Sequence, residues 1–545
     1  MTHNDTTPPP SGGPDRAPEM SWYAWGAPER ATPLDTGLRD LVSQALNAEL
    51  RDMPPIPEEQ VALPPSRLAE HLREALVAVV GAEHVRTDDA VRLRRSGGKS
   101  TPDLLLRRAG KADSAPDAVV LPADHDQVQR LLEVCSAERI AVVPFGGGTS
   151  VVGGVTPVRD GFSAVITLDL RRLDRLVSFD PVSLTAVLEA GVRGPHAEEL
   201  LAARGYTLGH LPQSHEYASI GGYAATRSSG QASSGYGRFE DMVVSLRAAT
   251  PRGTLELGGA PASAAGPDLR QLFLGSEGTL GVITEVKLRV RELPERVLDE
   301  AWSFPDWTTG TTALRELAQS DTRPTMARVL DETETFVGAA MAGQEATSGC
   351  QAVLGFEGKS EEVEARASAV REVMIAAGGT PHGPAPVAHW RKNRFSSPYL
   401  RDTLLSAGIL TETLETATNW TDLQSLYTAV RDALVEALEG DEGGVVVMCH
   451  VSHTYATGAS LYFTVATAAG ADPWARWDRA KRAASDAIVA HGGTISHHHA
   501  VGADHRPWMV EEVGPLGGDV LRAVKATLDP EGVLNPGKLI PSPTR

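Results

Sequence analysis

The sequence predicts an α+β protein of more than one domain, on three observations. At 545 residues the chain exceeds the size that one hydrophobic core usually serves. From residue 117 to 148 a strand, a helix, a second strand and a glycine run follow in succession. After Pro294 the composition changes, and residues 300–490 alternate helical patterns with strands such as CQAVLGFEG, GGVVVMCHVSH and ASLYFTVAT, as a separate α+β unit does.

Residues 1–20 read as a disordered Pro/Gly/Ser tail with neither the basic start nor the apolar run of a secretory signal. Residues 36–53 are weakly helical, 54–65 form a proline-marked linker, and a helix near 66–80 leads to the polar segment RRSGGKSTPDLLLRR. The strand AVVL follows, and Asp124 or Asp126 caps the next helix. Val128, Leu131, Leu132 and Cys135 recur there at i, i+3, i+4 and i+7, which is one helical face. The buried strand IAVVPF then runs straight into Gly146, Gly147 and Gly148. Strands at 164–170 and 184–192 and a helix over 195–204 precede a long small-residue loop region, 212–243. VVSLRAATPRGTLEL is a hairpin turning at PRG, followed by a helix, a glycine loop and a strand. Near the end, Val520, Leu521, Val524 and Leu528 mark one face of a helix, before the turn DPEGVLNPGKLIP.

Composition removes several classes. A formal net charge of −19 argues against nucleic acid as a partner. Cys135, Cys350 and Cys449 are too scattered for a disulfide framework or a zinc spacing, as expected of a reduced, cytoplasmic chain. No run approaches the ~18 apolar residues of a membrane span.

Backbone approaches a phosphate closely only where Cβ is absent, and successive N–H groups then converge on the anion. PFGGGTSVVGG offers that, with Thr149 and Ser150 as hydroxyl donors, although its spacing is neither the Rossmann fingerprint nor a P-loop. Two more loops, SIGGYAATRSSG and GSEGTLGVITE, raise one weak sign to three and point to an extended dinucleotide.

PDAVVLPADHDQV, VPFGGGTS, SIGGYAATRSSG, YGRFEDMVVSLRAATPRG, GSEGTLGVITEVKL and the terminal DPEGVLNPGKL, in this order, resemble the FAD-binding fold of the vanillyl-alcohol oxidase superfamily. The resemblance implies a two-subdomain PCMH-type FAD-binding domain plus a separate α+β cap (substrate) domain. The division is 21–114 (helical segment), 115–293 (FAD domain), 294–505 (cap) and 506–545 (a return to the FAD domain). It implies that Pro144, Gly146, Gly147, Gly148, Thr149 and Ser150 cradle the FAD pyrophosphate. Pro212, Ser214, Ser219, Gly221, Gly222 and Thr226 would line the flavin and ribityl region, and Glu277, Gly278 and Ile283 the adenine side. No histidine stands beside the glycine loop, where members with covalent flavin often carry one, so FAD is expected to be non-covalent.

Within the superfamily, SWYAWGAPER, RPTMARVLDE, PYLRD, HVSHTYATGASLYF and GGTISHHHAVG resemble the alkyldihydroxyacetonephosphate synthases. RRSGGKSTPD departs by lacking the histidines that some members carry there. The resemblance implies exchange of the acyl chain of acyl-dihydroxyacetone phosphate for a fatty alcohol, through a flavin N5 adduct without net redox. Tyr455 matches the acid/base, Arg401 and Arg328 the cations, and His497, His498 and His499 the histidine run. Ion pairs with Asp402 and Asp331 are the plainer reading of the two arginines. In an extended segment His497 and His499 would face the flavin together and His498 away. A metal held by a His-x-His pair with Asp504 or His505 is not expected, for want of further ligands. A homodimer and peripheral contact with the inner membrane face follow from the resemblance. The alternative is an FAD-linked oxidase or dehydrogenase of a D-2-hydroxy acid or specialised metabolite.

Overall fold

The computed structural model describes residues 19–542 except 32, 33, 35, 160, 344–347, 384, 441 and 442, so most of the expected tail lies outside the described residues. A four-stranded sheet comes first, in the spatial order Val85–Arg86, Ala118–Val120, Ala164–Asp169, Ile140–Phe145. Its last three strands are parallel. Parallel strands are covered on both faces, which is why IAVVPF and AVITLD read as unbroken apolar runs. The crossover helix His125–Ala137 is capped by Asp124, whose side chain accepts from Gln127 N, and its four apolar positions are fully buried. The carboxy-terminal turn returns to this sheet, where Leu534 bridges Val142.

An antiparallel five-stranded sheet stands beside it: Leu176–Asp180, Thr185–Glu189, Val282–Arg289, Val243–Thr250, Gly253–Gly258. The polar segment after residue 93 is largely helical and buried. It ends one helix, Asp89–Arg94, and supplies another, Thr101–Arg108, capped by Asp88 and Ser100. Its charges are buried because distant partners meet them. Arg95 pairs with Asp169 and Glu19 at 2.9 Å each, and Arg107 donates to the Gly97 and Gly98 carbonyls. The expected loop over 212–243 likewise contains three short helices, Ile220–Thr226, Ser233–Tyr236 and Phe239–Met242.

The second unit is a seven-stranded antiparallel sheet in the order Thr380–His382, Arg296–Phe304, Cys350–Gly358, Met326–Leu330, Val445–Thr454, Gly458–Ala468, Ile409–Asn419. Helices Trp307–Ala318, Ser360–Ala376, Leu423–Leu438 and Pro473–Ala490 cover one face, and Val329, Cys449, Val451, Leu461, Phe463 and Leu414 join their core. Side chains alternate across a strand. Arg328, His450, Tyr462 and Glu415 therefore project from the opposite face.

The last helix, Met509–Leu528, is kinked at Gly514 and Pro515. Leu521, Val524 and Leu528 pack inward, but Val520 does not. It is 54% exposed, because at 100° per residue it falls off the stripe that 521, 524 and 528 define.

Candidate active site

The glycine loop leaves strand Ile140–Phe145 and packs against two other predicted loops. A Cβ on Gly146 would strike Ser219 Oγ, and one on Gly147 would strike the Tyr217 carbonyl and the Arg193 guanidinium. Gly278 lies so close to Pro144 that a Cβ would come within 2.8 Å of its ring. Ser219 caps helix Ile220–Thr226, accepting from Gly222 N at 3.2 Å, while Thr226 Oγ1 donates to Gly222 O and Gly221 abuts Ala190. Pro212 and Ser214 shape the turn before it through their carbonyls. Ile283 is a core residue of the five-stranded sheet.

Glu277 ties the two units together. Its carboxylate accepts from Val501 N at 2.8 Å and Gly502 N at 2.7 Å, directly after the histidines. Burial pushes this carboxyl up to about 7.

These loops fit FAD. Their glycines leave backbone within reach of an anion where a side chain would collide. Arg95, Lys99 and Arg193 line a pocket with Gly147, Gly148 and Glu19. Gln213 Nε2, His215 Nδ1, Ser276 Oγ and Asn535 Oδ1 are buried polar atoms without a protein partner among the described residues. Such atoms need a polar ligand or water. Lys99, in the segment that lacks histidine, is buried, its Nζ donating to Ser21 O. Burial, then Arg107, holds that amine well below its usual range.

The opposite wall is a chain of proton-bearing groups. Strands Val445–Thr454 and Gly458–Ala468 form a hairpin whose turn carries Tyr455. Tyr455 OH lies 2.6 Å from His497 Nε2, and His497 Nδ1 lies 3.1 Å from His498 Nδ1. Burial raises the Tyr455 pKa, so the phenol keeps its proton. Burial, then His498, depresses His497, and burial pushes His498 down to about 3. The chain therefore rests as a neutral phenol against neutral imidazoles.

The histidine run is not extended as expected. Residues 497–499 bend, and their successive N–H groups all turn toward Glu415. The alternation of facing expected for an extended strand is lost, and His497 and His498 face each other instead.

Arg328 and Arg401 part company. Arg328 Nη2 donates to His450 Nε2 at 2.7 Å, and its guanidinium lies 5.5 Å from the Trp390 ring centre. Since Nε2 accepts, Nδ1 carries the hydrogen and donates to Glu334 at 2.9 Å. Asp331 is occupied elsewhere, accepting from Glu334 N, Cys449 N and Tyr427 OH. Arg401 does fork onto Asp402, at 3.0 and 2.9 Å, and donates to the Lys99 carbonyl. It stands with the buried segment around Lys99; its described contacts do not reach Tyr455.

His453, His497 and His498 bring three ring nitrogens within 4.8 Å of one another. Their hydrogen bonds already use these atoms. His453 Nε2 faces the Gly230 carbonyl at 2.9 Å and must donate, leaving Nδ1 to accept from Ser452. His450, His453, Arg238, whose Nη2 donates to His497 O at 2.8 Å, and Glu415 escaped the sequence reading. Only strand alternation around the recognised Tyr455 hairpin could have marked the first two.

A model of the FAD binding domain matches residues 116–258, and one of the FAD linked oxidases, C-terminal domain, matches 293–539. The chain is 35% identical over 503 residues to alkyldihydroxyacetonephosphate synthase of Dictyostelium discoideum, covering 88% of this chain and 82% of that protein. It is 32% identical over 578 residues to that of Trypanosoma brucei brucei, covering 97% and 94%. A solved alkyldihydroxyacetonephosphate synthase superposes with a TM-score of 0.81 at 29% identity, covering 95% of this chain and 98% of that one. The chain belongs to the alkyldihydroxyacetonephosphate synthase family.

Proposed function

We propose that this chain is an FAD-dependent alkyl transferase of ether-lipid synthesis, replacing the acyl chain of acyl-dihydroxyacetone phosphate with a fatty alcohol. The observation that carries the proposal is the Tyr455–His497–His498 chain, held by Glu277 against loops that fit FAD. The exchange breaks the bond from the dihydroxyacetone carbon to the acyl oxygen and forms one to the alcohol oxygen. The alcohol's proton ends on the released fatty acid, so protons move while no electrons are lost. FAD, when bound, supplies the ring that assists substitution at that carbon.

In this proposal Gly146 to Ser150, Ser219 and Gly278 hold the dinucleotide, and Arg95, Lys99 and Arg193 meet its pyrophosphate charge. Tyr455, once its own proton has passed to His497, removes a proton at the reacting carbon and later returns it, with His497 and His498 as its reservoir. Arg328 binds the substrate phosphate as a fork. Arg401 supports the adjoining wall through Asp402 and Lys99. The segments 21–114, 115–293, 294–505 and 506–545 serve as the functional divisions. No helix among the described residues is long and apolar enough to cross a membrane. Lipid substrates call for peripheral contact at the cytoplasmic membrane face, which vesicle flotation would test, and the family resemblance implies a homodimer, which light scattering would test.

Oxidation of a D-2-hydroxy acid is the less supported reading. Anaerobic mixing with D-lactate or D-2-hydroxyglutarate leaves the flavin oxidised in the proposed enzyme; rapid bleaching would sink the proposal.

His450→Phe removes the acceptor that orients Arg328. A hydrogen bond to a charged group contributes ~1.5–3 kcal/mol, so kcat/KM is expected to fall about 10- to 100-fold, mostly through KM, with FAD retained. Steady-state kinetics in acyl-dihydroxyacetone phosphate checks it; an unchanged KM would remove Arg328 from phosphate binding.

A further inference from the structure

Glu415 sits on strand Ile409–Asn419, 1% exposed, on the face opposite its core neighbour Leu414. Its carboxylate accepts four hydrogen bonds from one short segment. Oε1 takes Ser496 Oγ at 2.8 Å, His498 N at 3.0 Å and His499 N at 2.7 Å, and Oε2 takes His497 N at 2.6 Å. Oε2 also lies 3.5 Å from His498 Nδ1 and 3.9 Å from His497 Nδ1. Oε1 is thus saturated by the histidine loop, while Oε2, with one donor, keeps a lone pair facing the two imidazoles.

We propose that Glu415 is the positioning residue of the proton chain: it fixes the backbone of residues 496–499 and supplies the counter-charge when a proton from Tyr455 reaches His497 or His498. This rests on the acid/base role proposed for Tyr455. The chain has one acceptor direction. When Tyr455 gives its proton to His497 Nε2, His497 Nδ1–H can pass its own to His498 Nδ1. The positive charge then stops beside Oε2. An imidazolium in a dry wall without an adjacent anion would be strongly disfavoured. Burial works against the charge on Glu415, but the imidazoles, where they are protonated, and the backbone N–H groups outweigh it and hold the carboxyl well below its usual range.

Other groups face the loop from every side. Arg238 comes from the first unit, Arg328, His453, Tyr455 and Tyr462 from the sheet, Lys481 from helix Pro473–Ala490, and His505 from beyond the loop. Glu240 and Glu412 face Tyr455 and Tyr462, one step removed. Two more carboxylates hold the flanking backbone, Glu512 at Ile495 N and Glu277 at Val501 N and Gly502 N; the cations oppose a proton on the imidazoles, and Glu415 is the anion that favours it.

The test compares Glu415→Gln, which keeps shape and loses charge, with Glu415→Asp, which keeps charge and loses a methylene. Both are purified as holoenzyme and assayed with labelled hexadecanol. The expected order of kcat is wild type, then Asp, then Gln, with Gln down about 100-fold or more. The limb of the pH–kcat profile that reports the imidazoles moves down by about one pH unit or more in Gln, because removing an anion lowers the proton affinity of its neighbours. Gln matching or exceeding Asp, or an unmoved limb, would overturn the assignment. If Gln fails to hold FAD, Asp retaining flavin and activity supports it, and equal loss in both overturns it. If wild type itself does not incorporate hexadecanol, the substrate reading fails separately. Histidine-selective 13C NMR titration then decides on Glu415: lowered imidazole midpoints in Gln support it, and unmoved midpoints overturn it.

Discussion

Tyr455→Phe is expected to lower kcat by about a thousandfold or more while the protein keeps its fold and its FAD. General acid–base groups contribute about 10²–10⁴ in rate, and Tyr455 OH is 2.6 Å from His497 Nε2 in a wall where both groups rest neutral. Phenylalanine preserves the ring, which meets His497 edge-on with centroids 5.7 Å apart. Only the O–H is lost, and its contribution to stability is about 1 kcal/mol. The measurement is turnover of labelled hexadecanol alongside the flavin absorbance and the unfolding midpoint. Retention of more than a tenth of wild-type turnover would remove Tyr455 from the chemistry. Loss of flavin would make it structural.

Gly147→Val carries the largest expected effect on the cofactor. Its Cβ would collide with the Tyr217 carbonyl oxygen and crowd the Arg193 guanidinium, and neither can withdraw freely. Tyr217 is held through its N–H to Ser214 O, its hydroxyl 3.2 Å from Tyr399, and the Ala27 N–H donated to it at 3.1 Å. Displacing Tyr217 also displaces Ser219, against which Gly146 packs. Overpacking of this kind costs about 1–3 kcal/mol, and it falls on backbone that must converge on the pyrophosphate. The variant is expected to purify without the flavin bands and to bind added FAD about a hundredfold more weakly or worse. Stoichiometric flavin in the purified variant would contradict the cradle assignment.

Local periodicity and loop chemistry made much of the framework legible. The face formed by Val128, Leu131, Leu132 and Cys135 needs only the helical repeat, and the hairpin at PRG only its turn residues. The helices around Lys99 were hidden because burying Arg95 depends on Asp169 and Glu19, each more than 70 residues away. A polar segment looks like surface until such partners are placed. Glu415 was hidden for the same reason: it lies 82 residues before His497. TETLETATN alternates like a half-exposed strand, and its polar face turned out to be the inner wall of the site. The histidines themselves were visible, but their bend was not, since it is set by the carboxylate that all three N–H groups share.

Exchange at the dihydroxyacetone carbon is tested most directly by incubating the holoenzyme with acyl-dihydroxyacetone phosphate and labelled hexadecanol. The structure predicts label in alkyl-dihydroxyacetone phosphate, one fatty acid released for each alcohol incorporated, and a flavin that ends oxidised without added electron acceptor. Release of fatty acid with no label in the product, or turnover that depends on an electron acceptor, would contradict it.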